Sequence, residues 1–163
     1  MIIQRRKVVH QVHAPWPDLI DGMPGPSNLA IPDTEYHVPT LEQFREIYET
    51  RWQDQRRYIR QAWDCDDSGY SAMALCVLLV TMIRLHVADL VFAGIVDATA
   101  ARPWTVGEAW GTRFRGKPMG HALCFALLRA DARVQLVLFE PQNKRLAVWA
   151  PTAEKDHVHY LRM

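Results

Sequence analysis

Residues 121–150 read HALCFALLRADARVQLVLFEPQNKRLAVWA. Three apolar runs, HALCFALLRA (121–130), RVQLVLFE (133–140) and KRLAVWA (144–150), are punctuated by Ala130-Asp131 and by Pro141-Gln142-Asn143. Short apolar runs separated by turn residues predict consecutive strands of an antiparallel meander, and HVHYLRM at the end of the chain adds a last edge strand. In such a meander the start of one strand and the end of its antiparallel neighbour share one edge of the sheet. His121 opens the first run and Glu140 closes the second, so the two are expected to be neighbours.

Helical patterns precede the meander. From Ser68 to about His86 the chain is apolar nearly all round, which predicts a helix buried on most faces. Its longest apolar run, Ala72 to Ile83, falls short of the roughly 20 residues a membrane span needs. Before it, Leu41, Phe44, Ile47, Tyr48 and Trp52 recur at helical spacing and predict an amphipathic helix over about residues 41–58. Thr40 followed by Gln43 forms a capping box at its start. Six of the ten prolines, Pro15, Pro17, Pro24, Pro26, Pro32 and Pro39, crowd the first 40 residues. After a strand-like segment from Ile2 to Val12, this region reads as an extended arm over the domain surface, suited to docking on another protein. Between the buried helix and the meander, Gly94, Pro103, Gly107, Gly111, Gly116, Pro118 and Gly120 space out a less regular stretch. The sum is one α+β domain over residues 1–163, a proline-rich arm (1–40) and a core (41–150) whose N-terminal helices pack on an antiparallel sheet.

Composition narrows the function classes. The 163 residues are 49% hydrophobic and 23% charged with a net charge of +1, which gives no electrostatic reason for a nucleic-acid or membrane partner. The three cysteines, Cys65, Cys76 and Cys124, are an odd set in a chain whose first residues lack an apolar signal core. A reducing, cytoplasmic setting follows.

Cys65 stands out among them. It lies at the start of the buried helix, where outward N–H groups and the helix dipole favour a thiolate. It also sits among Asp64, Asp66 and Asp67, whose charges disfavour one. A segment so charged cannot be buried unpaired, so Cys65 lies near solvent or near a cation. A cysteine nucleophile needs a base, usually histidine, and a third group that orients it. His121 and Glu140 are the candidates.

In chain order, DCDD (64–67) ahead of a helix, GHA (120–122) leading a strand and FEPQN (139–143) after an apolar strand resemble a papain-like cysteine protease. More narrowly they resemble the C-terminal protease domain of the Marasmius oreades agglutinin type and related phage-encoded domains, over about residues 58–150. The resemblance implies a papain-like fold, a protein or peptide substrate, a Cys65-His121-Glu140 triad and a calcium requirement. A Ca²⁺ (or Mn²⁺) held by Asp64, Asp66 or Asp67 would neutralise the carboxylates and supply the positive potential a thiolate needs. By analogy with papain, Gln61 would donate to the oxyanion beside the Cys65 N–H. Ser68-Gly69 departs from the bulky aromatic and alanine usual after DCDD, and Cys124 stands where asparagine is common. These departures keep open a structural or interaction protein, virion-associated if phage-encoded, and a transglutaminase-like acyl transferase.

Overall fold

The computed structural model describes residues 1–17, 19–21, 28–52, 69–141, 143 and 145–163. Its centre is a long hairpin. Strand β5 (Val106–Phe114), strand β6 (Lys117–Ala130) and strand β7 (Arg133–Phe139) pair antiparallel in sequence. The two connections turn on residues with left-handed backbone, Arg115 (φ 50°) and Gly116 (φ 76°) in the first and Asp131 (φ 53°) in the second. That conformation matches the twist of a tight hairpin.

Strand β6 is apolar at nearly every position because both of its faces are covered. Leu123, Phe125 and Leu127 join one buried cluster, whereas Cys124, Ala126 and Leu128 join another on the opposite face. The second face is closed by helix α2 (Leu41–Ile47), by a π-helical turn (Tyr48–Trp52) and by helix α3 (Gly69–Phe92). Phe44, Ile47, Tyr48, Leu79 and Ile83 supply that layer. Helix α2 starts as its sequence specifies: Gln43 N donates to Thr40 Oγ1 at 3.2 Å, and Thr40 N donates to Gln43 Oε1 at 2.9 Å. The expected helix over 41–58 gives way to the π-helical turn at Tyr48, and its final residues lie outside the described ones.

The described residues among the first forty correct the expectation of an arm over the surface. A short strand β1 (Ile2–Gln4) leads into helix α1 (Arg5–His13), where a continuous strand was expected. Val8, Val12, Trp16, Leu19, Leu29, Ile31, Tyr36 and Val38 are buried in the cluster that covers the first face of the hairpin. Strand β2 (Ile20–Asp21) runs parallel to strand β3 (Asn28–Ala30), while strand β4 (Glu35–His37) pairs with β1. Prolines interrupt this region but do not stop its apolar side chains from filling a core. Trp16 Nε1 donates to Asp156 O at 3.0 Å, tying it to the far end of the chain.

The remaining strands are β8 (Val148–Trp149) and β9 (His157–Arg162). They complete a seven-stranded sheet in the order β2-β3-β9-β5-β6-β7-β8. The expected strand over 144–150 is thus reduced to two paired residues. Conversely β5, which carries Gly107 and Gly111 and had looked irregular, is central to the sheet. A Cβ on Gly107 would lie 2.1 Å from Arg162 O and 2.5 Å from the Phe125 ring, so glycine here permits close approach of β9. Helix α3 continues to Phe92, past the expected end near His86, and the expectation of burial on most faces is corrected at Leu85, which is exposed. No helix among the described residues is long and apolar enough to cross a membrane.

Candidate active site

The register of the β6–β7 pair decides what lies at its open edge. Pairing with β7 begins at Cys124, opposite Phe139, so the preceding stretch of β6, where Lys117, Pro118, His121, Ala122 and Leu123 pair with β5, has no register partner in β7. Glu140, the next residue after β7, leaves the sheet beside this stretch. His121 lies within it, four residues after the strand begins, opposite Gly111 of β5.

The two side chains meet there. His121 Nε2 lies 2.5 Å from Glu140 Oε2, a contact short enough for a charge-assisted bond. His121 is 5% exposed, and its ring meets Phe114 edge-on with centroids 6.2 Å apart. Gly111, across the strand, has no room for a side chain, since a Cβ would lie 2.2 Å from His157 O. The imidazole itself is held by its burial, by the Phe114 ring and by Glu140.

Its tautomer follows from the partner. An ionised carboxylate only accepts, so Nε2 carries the proton and donates to Glu140. In the neutral ring Nδ1 then bears the lone pair. That atom is buried and has no hydrogen-bond partner among the described residues. A buried imidazole nitrogen without a hydrogen-bond partner costs stability.

Cys65, Gln61, Asp64, Asp66 and Asp67 lie outside the described residues, as does Ser68. The described part of α3 begins at Gly69, directly after this segment. Among the described residues no three histidine, cysteine or acidic side chains gather as a metal would require. Cys124 is buried in β6 beneath the α2 and α3 layer.

One residue near the site was legible in the sequence only as part of an apolar stripe. Tyr48, the first residue of the π-helical turn that follows α2, is buried, and its hydroxyl reaches the backbone of the turn that holds Glu140. A tyrosine where leucine would complete the stripe is a weak signal that a hydroxyl is in use. A second acidic group, Glu108 of β5, is also buried and faces Arg162, whose Nε lies 3.1 Å away. Burial lifts its carboxyl above the usual range, and the Arg162 charge pulls against that rise.

No family model and no curated protein matches this chain. Among solved structures it is similar to the complex of PSL1a, an agglutinin, with E64, a cysteine-protease inhibitor. The match covers 99% of this chain and 51% of that one at 18% identity, with a TM-score of 0.63. This chain thus spans about half the length of that protein. At this identity the likeness concerns the fold, which is α+β and papain-like.

Proposed function

We propose that this protein is a papain-like cysteine peptidase or amide hydrolase with Cys65 as nucleophile, His121 as general base and Glu140 as the group that orients it. One observation carries the reading. A buried imidazole has its Nε2 2.5 Å from a carboxylate oxygen and its Nδ1 without a partner among the described residues. That is the arrangement a base needs before it takes a thiol proton.

In the proposed reaction, His121 Nδ1 accepts the Cys65 thiol proton and the thiolate attacks the substrate carbonyl. The Cys65 N–H and the Gln61 amide donate to the oxyanion. Collapse breaks the C–N bond, and the amine leaves with the proton held on His121. Water, deprotonated by the same nitrogen, then cleaves the thioester. Throughout, Glu140 holds the ring in one tautomer and stabilises the imidazolium. The likeness to the fold of a protein bound to E64 supports this class of chemistry.

Ca²⁺ held by Asp64, Asp66 or Asp67 would offset the carboxylates beside the thiolate. The test is a fluorogenic peptide panel on wild type and Cys65→Ala, with Ca²⁺ and with a chelator, together with mass analysis after E64. Wild type should hydrolyse at least one peptide, gain the mass of E64 at Cys65 and lose both properties in chelator. Equal background hydrolysis by both proteins in every condition refutes the reading. An E64 adduct that forms equally well in chelator refutes the cation alone.

A further inference from the structure

The turn that carries Glu140 is fixed from a distant part of the chain. Asn143 N donates to Glu140 O at 3.2 Å, which brings the chain back to Glu140, and Pro141, directly after Glu140, has a fixed φ. Three carbonyl oxygens of this turn face a single atom. Tyr48 Oη lies 3.2 Å from Glu140 O, 3.1 Å from Pro141 O and 2.7 Å from Asn143 O. A phenol has one proton to donate, so the bond to Asn143 O is the principal one.

The ring that bears this hydroxyl is held firmly. Tyr48 is 1% exposed, stands edge-on to Phe139 with centroids 5.9 Å apart, and tilts against Phe44 at 6.4 Å. The next residue, Glu49, accepts from Leu146 N at 3.4 Å and holds the far end of the same loop. On its other side Glu140 follows Phe139, which is paired to Cys124 in the sheet. Glu140 is thus anchored before by β7 and after by Tyr48.

We propose that Tyr48 is a positioning residue, which sets the His121–Glu140 hydrogen bond by fixing the turn from which Glu140 projects. The proposal rests on the reading of that pair as base and orienting acid, and it identifies what aligns the acid. A contact of 2.5 Å tolerates little backbone drift, and the hydroxyl removes that freedom.

Tyr48→Phe in the full chain keeps the ring and deletes only the hydroxyl. The proton on His121 Nε2, identified by its disappearance in His121→Gln, is followed by NMR as it exchanges with water. Loss of one hydrogen bond's worth of restraint should speed that exchange about fivefold. If the wild type hydrolyses peptides, kcat should fall by a similar factor with KM unchanged. Phe44→Leu, which loosens the same aromatic cluster but keeps the hydroxyl, should lower the melting temperature and leave the exchange within about twofold. Unchanged exchange in Tyr48→Phe, or equal acceleration in Phe44→Leu, overturns the proposal. Absence of peptide hydrolysis in wild type would count against the proposed activity, while the exchange measurement would still decide the role of Tyr48.

Discussion

Replacing Glu140 with glutamine alters one quantity at the candidate site. The amide is nearly the same shape, and its carbonyl oxygen can accept from His121 Nε2, which now lies 2.5 Å from the carboxylate. What is lost is the charge. A hydrogen bond to an ionised partner contributes about 1.5–3 kcal/mol and a neutral one about 1 kcal/mol. The difference of about 1.4 kcal/mol is about tenfold in rate. On the proposed reading it is felt when His121 becomes an imidazolium, so kcat of the proposed hydrolysis should fall about tenfold with KM unchanged. Glu140→Ala goes further, because it leaves the N–H of a ring only 5% exposed without an acceptor. That should cost about 1–3 kcal/mol of stability as well. The assays are steady-state hydrolysis, the rate of Cys65 alkylation across pH 6–9, and urea unfolding. A Glu140→Gln protein within about twofold of wild type in both rates would show that the carboxylate charge plays no part in preparing the base.

Two further outcomes follow from Glu108 and Gly107 of β5, the second with Gly120 of β6 as its control. The Glu108 carboxyl is held above its ordinary range by burial. A raised folded-state value means that its contribution is whole below about pH 4.3 and is lost as pH rises through that raised value. The stability of Glu108→Gln relative to wild type should therefore improve between pH 4 and pH 7.5 in urea titrations, and a pH-independent difference would contradict this. Gly107→Ala drives a methyl to 2.1 Å from Arg162 O and should cost about 3 kcal/mol. Gly120→Ala, where a Cβ meets nothing within 4 Å, should stay within about 0.5 kcal/mol. Thermal melts of the two variants separate a close approach between strands from a generic glycine effect.

The parts legible in the sequence are those whose local chemistry and tertiary setting agree. The turn at Asp131 and the apolar runs on either side define the β6–β7 hairpin, and Thr40 with Gln43 defines the start of α2. Proximity of His121 and Glu140 is readable for the same reason, since a hairpin relates them. Strand β5 was hidden because its glycines serve contacts with β9 and Phe125, which a linear reading cannot see. The N-terminal segment was hidden by prolines, although Leu123, Phe125 and Leu127 alternating with Cys124, Ala126 and Leu128 already require cover on both faces of β6. Tyr48 was visible only as an apolar residue, because the carbonyls it meets lie elsewhere in the chain. Cys65, Gln61 and the three aspartates lie outside the described residues.

The candidate base and acid stand 19 residues apart on one hairpin, whereas Tyr48 reaches its carbonyls across 92 to 95 residues. A hairpin closes a short loop and forms early, while a contact of that separation must wait for the chain to close a long one. The pair and its alignment thus belong to different stages of assembly. Partial opening that frees α2 from the sheet would leave the strands of the hairpin zipped and release only the turn beyond Phe139. Competence of the site would then track the docking of a seven-residue helix and could be lost at a temperature where the sheet is still intact.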